Sequence, residues 1–166
     1  MNTKLIALGL LASVAATPAL AQDVVAGEFT GPRVGVELGV VDDDFGGTDE
    51  ATYGVLAGYD ADLGSVIVGA TASYTGLFDD DGTDLRDLTI AGRVGAKLAP
   101  RTLVYGTVGY TNVDFDGLPG SLDGARFGVG LEQSFGRLYG NVETRYSNYE
   151  LGLETYQTVV GLGFRF

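Results

Sequence analysis

Apolar residues alternate with small or polar ones along most of this chain, and the alternation is plainest at its far end. From Thr155 to Phe166, Thr158, Val160, Leu162, Phe164 and Phe166 share one side of an extended strand, while Gln157, Val159, Gly161, Gly163 and Arg165 share the other, because strand side chains alternate with period two. One face is apolar and the other is small or charged. The same pattern recurs upstream often enough to test whether the strands can close into a barrel.

The first strand runs from about Pro32 to Val41, with Val34, Val36, Leu38 and Val40 opposite Arg33, Gly35, Glu37 and Gly39. A second, near Ala51 to Tyr59, sets Tyr53, Val55, Ala57 and Tyr59 against Thr52, Gly54, Leu56 and Gly58. The third spans about Ser65 to Thr75 and has two weakly apolar faces; Val66, Val68, Ala70, Ala72 and Tyr74 are assigned outward, with Gly69, Thr71 and Ser73 inward. In the fourth, Leu88, Ile90, Val94, Ala96 and Leu98 oppose Asp87, Thr89, Arg93, Gly95 and Lys97. The fifth, Thr102 to Asn112, sets Val104, Val108 and Tyr110 outward, leaving Leu103 and Tyr105 on the other face. The sixth places Phe127, Val129, Leu131 and Phe135 against Arg126, Gly128, Gly130 and Glu132, and the seventh places Leu138, Val142 and Tyr146 against Asn141, Glu143, Arg145 and Ser147.

With the terminal strand the count is eight. Long polar connections follow strands one, three, five and seven (Asp42 to Glu50, Gly76 to Asp84, Val113 to Gly124, Asn148 to Glu154), and short ones, Asp60 to Gly64, Ala99 to Arg101 and Gly136-Arg137, follow the others. Turn-forming Gly, Pro and Asp residues mark them. Transmembrane barrels show this asymmetry, with short periplasmic turns and longer outer loops.

The mid-strand apolar rows carry no charge, whereas the opposite rows carry all the strand charges. Strands in hydrocarbon must pair every backbone group and therefore close, with apolar residues outward. A soluble lipocalin-like binding barrel, the least favoured alternative, would reverse the faces. Glycine shares the charged rows, as a narrow eight-strand interior requires. Tyr53, Tyr59, Tyr74, Tyr110, Phe135, Tyr146, Tyr156 and Phe166 lie near strand ends, where interfacial aromatic girdles belong. The predicted fold is all-β: an eight-stranded antiparallel up-and-down transmembrane barrel over residues 31–166.

Composition narrows the chemistry. A formal charge of −12 over 166 residues argues against nucleic acid as a partner, since phosphate binding needs clustered Lys and Arg. The chain has no cysteine and no histidine, which removes disulfides, thiolate metal sites and most general-base chemistry. Lys4, the apolar run Leu5 to Ala16 and Ala19-Leu20-Ala21 form the charged region, apolar core and small-residue cleavage site of a Sec-type signal peptide, spanning residues 1–21. Its apolar run is too short to cross a bilayer, which takes roughly 20 residues. Residues 22–30 lack a period and read as a periplasmic lead-in.

The signal segment, the eight-strand pattern, Gly128-Val-Gly-Leu-Glu132, Glu143-x-Arg145-Tyr146 and the final Phe166 resemble the small outer-membrane β-barrel families, namely the opacity-protein group and the transmembrane domain of outer-membrane protein A. The resemblance implies localisation in the outer membrane of a Gram-negative bacterium and contact with outer-membrane lipid and lipopolysaccharide. It also implies Phe164 and Phe166 as a C-terminal signal for the barrel assembly machinery. Larger relatives carry a periplasmic peptidoglycan-binding domain, which is not expected here because the sequence stops at the last strand. Some small barrels are acyltransferases, deacylases or proteases with a histidine-dependent site, which this chain lacks. Serine with lysine would have to use Lys97, whose neighbours show no nucleophile pattern. No enzyme activity and no cofactor are expected.

The candidate site is therefore the lumen. Glu37, Arg93, Lys97, Arg126, Glu132, Glu143, Arg145 and Arg165 are expected to form an internal charge network, since buried charges need partners and side chains fill an eight-strand interior. The favoured role is a monomeric structural or surface-interaction scaffold presenting acidic loops to an unspecified partner; the alternative is a narrow porin-like channel for small solutes. Asp42 to Asp44 and Asp79 to Asp81 lack the spacing of a calcium loop and read as solvated loop acids. Gly128-Val-Gly130 and Gly161-Leu-Gly163 open no helix, so they read as inward strand glycines rather than a phosphate cradle.

Overall fold

The computed structural model describes residues 28–43, 50–78, 85–115 and 121–166. Eight strands follow one another: β1 (Gly31–Asp43), β2 (Glu50–Asp62), β3 (Val66–Leu77), β4 (Leu85–Ala99), β5 (Thr102–Phe115), β6 (Ser121–Phe135), β7 (Leu138–Tyr149) and β8 (Glu154–Arg165). Each pairs antiparallel with the next, and β1 pairs with β8 from Arg33↔Arg165 to Asp43↔Thr155, so the sheet closes with no free edge. The last backbone N–H, on Phe166, donates to the Pro32 carbonyl at 3.0 Å and carries the seam to the chain's end. Closure satisfies the backbone groups that an open sheet would leave unpaired.

The expected parity holds on every strand, including β3 and β5. Val36, Leu38, Val94, Val129, Val160 and Leu162 are all more than half exposed, while Ile67, Leu103 and Tyr105 are buried inside. The lumen side carries Arg, Glu, Asp, Ser and Thr, and the outer side is a continuous apolar wall. That arrangement is the reverse of a soluble ligand-binding barrel. An apolar surface running round every strand is far beyond the few hundred Å² that a soluble monomer exposes in one patch.

The strands run further than the sequence suggests. Asp60 and Asp62, expected in a turn, end β2; Val113 to Phe115 and Ser121 to Gly124, expected in a loop, extend β5 and β6. Antiparallel partners on both sides hold these polar residues in the ladder, overriding their weak strand preference. The short turns are 63–65, 100–101 and 136–137, all at one end, called here the turn end. At the last of them Gly136 has φ 79°, the left-handed conformation that the first position of a two-residue hairpin turn requires. At the opposite end, called here the loop end, β1, β3, β5 and β7 finish, and β7 passes into a 3₁₀ turn at Glu150–Gly152. Residues 1–21, where a signal peptide is expected, the residues to 27, Asp44 and Asp79 to Asp81 lie outside the described residues; Asp42 and Asp43 belong to β1.

Inside the wall, large side chains face glycines in register on neighbouring strands. Tyr105 pairs with Gly130, Tyr149 with Gly124, and Tyr139 with Gly163. A Cβ on Gly130 would come within 2.5 Å of the Tyr105 ring, one on Gly124 within 2.7 Å of Tyr149, and one on Gly163 would fall on the Tyr139 ring. The Tyr139 ring thus lies across β8, and its hydroxyl donates to the Val34 carbonyl of β1 at 3.3 Å. Glycine on these rows is the counter-shape of a tyrosine, which fills the narrow interior without overpacking.

An outward position at mid-wall should not accept charge. Val160→Arg is expected to destabilise folding into lipid vesicles by about 2–4 kcal/mol, measured by urea titration, whereas Thr158→Ser, on the same row nearer the loop end, should change it by less than about 0.5 kcal/mol.

Candidate functional site

Strand parity points five arginines and five carboxylates into the lumen, each less than a tenth exposed: Arg33, Arg93, Arg126, Arg145 and Arg165 with Glu37, Asp60, Asp87, Glu132 and Glu143. Formal charge cancels within the barrel. An unpaired ion there would carry a large desolvation penalty, and the side chains meet it by forming three stacked layers.

The layer nearest the turn end is a ring of alternating sign. Arg93 donates to Asp60 Oδ2 at 3.1 Å and to Glu132 Oε2 at 2.7 Å. Arg165 spans the same two acids from the other side, at 3.0 Å to Asp60 Oδ2 and 2.7 Å to Glu132 Oε1. Arg33 Nε adds a third guanidinium 3.2 Å from Asp60. Four strands, β2, β4, β6 and β8, are cross-braced through these atoms, and Arg33 adds β1.

Above it, Arg145 binds Glu37 at 2.8 Å and Glu143 at 3.1 Å. Glu143 also accepts from the Tyr105 hydroxyl at 3.0 Å and from Thr107 at 3.1 Å. The Arg93 guanidinium lies 3.9 Å from the Tyr105 ring centre, so Tyr105 joins the two layers through a cation–π contact on its face and a hydrogen bond at its tip. In the third layer Arg126 pairs with Asp87 and donates to Thr89 at 2.6 Å, to Ser147 at 2.8 Å and to Tyr149 at 2.9 Å. Between the second and third layers a cavity of about 30 Å³ remains, lined by Arg126, Asn141, Glu143 and Arg145 among others, room for little more than a water molecule.

Seven of the eight residues expected in the charge network lie in these layers. Lys97 does not: its ammonium pairs with Asp62 at the turn-end rim, where both side chains are partly exposed. A flexible four-carbon stem lets the strongly hydrated ammonium reach water. Three participants were absent from the expected set. Arg33 and Asp87 join from inner-face positions outside the expected network, and Asp60 joins from a stretch expected to be a turn. Continuing the β2 alternation from Leu56 through Gly58 would have put Asp60 inside. Phe164 and Phe166 lie at the turn end with ring centroids 5.1 Å apart, edge to face. Among the described residues no group of three or more acidic residues is placed to hold a metal ion.

Removing Asp60 leaves the Arg33 guanidinium buried without its carboxylate and takes one of two acidic partners from Arg93 and Arg165. Asp60→Ala is expected to cost about 3–5 kcal/mol of folding free energy in vesicles, while Asp62→Ala, which breaks the partly exposed pair with Lys97, should cost no more than about 1 kcal/mol.

Comparison with known folds returns barrels of the same kind. Neisserial surface protein A aligns at a TM-score of 0.55 and 11% identity, covering 81% of this chain and 96% of its own. Ail, the attachment invasion locus protein of Yersinia pestis, aligns at 0.56 and 15%, covering 82% and 97%. The outer membrane enzyme PagL aligns at 0.58 and 16%, covering 81% and 99%. At such identities the likeness is one of fold, and the fold is shared by an enzyme as well as by surface proteins, so the wall alone does not decide activity. Comparison with curated proteins gives no match. Among protein families, residues 7–166 match the outer membrane protein beta-barrel domain, and because that match runs through all eight strands, the chain belongs to that outer-membrane β-barrel family.

Proposed function

We propose that the protein is a structural and surface-interaction scaffold, exported by the Sec-type signal at its N-terminus, whose sealed barrel holds four acidic loops at the cell exterior. The observation that carries this reading is the filled lumen: three ion-paired layers of buried side chains, with a cavity of only about 30 Å³ between the second and the third. A conducting pore needs a continuous aqueous path, and moving an ion through these layers would require breaking buried pairs.

Most of the acid that the lumen does not use falls, by sequence, in or beside the connections at the loop end, while Glu28 and Asp62 are paired at the turn end. Asp42 to Asp44, Asp49, Glu50, Asp79 to Asp81 and Asp84 lie in or beside the first two loops, where the nearest outward basic residue is Arg86. A surface of that sign favours cationic partners and repels anionic ones unless a divalent cation bridges them. Ail, which shares the fold, is named for attachment and invasion; a surface role for this chain rests on its own loops. The lack of histidine and cysteine supports a non-enzymatic role, since the Ser147, Thr107 and Thr111 hydroxyls of the lumen are bonded to Arg126 or to carboxylates already ion-paired with arginine. The Phe164–Phe166 pair at the turn end, with Phe166 exposed and Phe164 half-buried, supports its reading as the segment that the barrel assembly machinery recognises.

Single-channel recording on the folded protein in planar bilayers tests the sealed scaffold. The expected record is a flat baseline with rare, irregular openings; a reproducible open state would replace this reading with the narrow solute channel.

A further inference from the structure

The segment before β1 does not hang free at the turn end. Among the described residues, Phe29 is the one large apolar side chain outside the strands that is fully buried, at 0% exposure, and it packs with Ile67, Leu103 and Tyr105 inside the barrel mouth. Its ring centre lies 6.0 Å from the Arg165 guanidinium, so it sits directly on the ion-paired ring of Asp60, Glu132, Arg93 and Arg165.

Two polar pins flank the ring. On one side Glu28 pairs with Arg101 at 3.2 Å and accepts from the Ser134 hydroxyl at 3.2 Å. On the other, the Thr30 hydroxyl donates to the Asp60 carbonyl at 3.2 Å. The chain then turns into β1 at Gly31, whose φ of +104° and 2.7 Å approach of a notional Cβ to the Phe166 carbonyl oxygen leave room for glycine alone. Arg101 is 67% exposed, so that pin is screened by salt and weak. The apolar ring is the principal hold.

We propose that Glu28–Thr30 is a hinged stopper: Phe29 shuts the turn end of the lumen and keeps water and solutes off the Asp60 ion-pair ring, and rotation at Gly31 releases it. The barrel is then closed by two independent devices, the paired charges within and an apolar cap supplied by the chain itself. The arrangement accounts for a buried phenylalanine in a stretch without strand periodicity, and for a glycine at the one joint where the segment turns into the wall. It also gives the turn-end mouth an apolar lining of Ile67, Leu103 and Tyr105 for the ring to pack on.

The chain contains no cysteine, so one introduced thiol is an unambiguous reporter. Ser134→Cys places it at the turn-end mouth against the stopper, in place of the hydroxyl that donates to Glu28, and Ser147→Cys places it in the loop half; both serines point inward and are no more than 2% exposed. The rate of modification by a charged, water-soluble methanethiosulfonate is measured on the folded full chain in detergent micelles, with Phe29 intact, as Phe29→Leu and as Phe29→Ala. Slow labelling at Ser134→Cys is expected with Phe29 in place, a rise of tenfold or more in Phe29→Ala, a rise of less than threefold in Phe29→Leu, and no change at Ser147→Cys. Three results would overturn the proposal: fast labelling of Ser134→Cys with Phe29 intact, no acceleration in Phe29→Ala, or equal acceleration at Ser147→Cys, which would mean general loosening of the barrel. Steady conductance of the unaltered protein would count against the sealed scaffold, whereas these rates bear on the stopper itself.

Discussion

The rest of this structure depends on the pairing of charge inside a space too narrow for water to do it. Ten ionised side chains point into an eight-strand lumen, and in that medium a lone guanidinium or carboxylate would be prohibitive. Sharing solves the problem with few groups: Asp60 and Glu132 each serve Arg93 and Arg165, and Arg145 serves both Glu37 and Glu143. Apart from Arg145 and Glu143, both on β7, the partners come from different strands, so each such pair also fixes one strand's height against another. Replacing buried ion pairs with apolar residues is often neutral for stability. Their value here is that they set register in a closed sheet whose outer face, largely aliphatic and aromatic, would tolerate a slip.

Shape follows from the same constraint. Guanidiniums and tyrosines are large, and the rows that hold them can close only because glycine faces them across the ladder. Gly163 shows how specific the fit is: it lies under Tyr139, whose hydroxyl reaches the first strand. One ring from β7 therefore bridges the seam between the last strand and the first. The wall, the seam and the filled lumen are thus one packing solution, and the loops are the part of the molecule left free to specialise.

Strand number, order, faces and the unequal ends were legible in the sequence because one rule, period two, decides them all. Which residues meet was not legible. A tilted barrel brings together positions on strands that are not neighbours, as with Asp60 on β2, Arg93 on β4 and Glu132 on β6, and no local pattern encodes that offset. Asp60 was missed because Asp-Ala-Asp-Leu-Gly has the composition of a turn, although the β2 alternation passes straight through it. Lys97 has the right parity and the wrong depth, since parity says which face a side chain leaves from and not where a flexible stem ends. Phe29 had no signal at all: a single buried ring in an aperiodic stretch becomes visible only when the mouth it fills is built.

The central claim, that these charges act as couples and not as separate fillers, is tested most directly by a double-mutant cycle on Arg145 and Glu37, each changed to Ala and then both together. Unfolding free energies would be measured by urea titration in lipid vesicles. A favourable coupling of at least about 1 kcal/mol is predicted, within the range seen for residues in one buried network. Losses that simply add, to within about 0.5 kcal/mol, would contradict it.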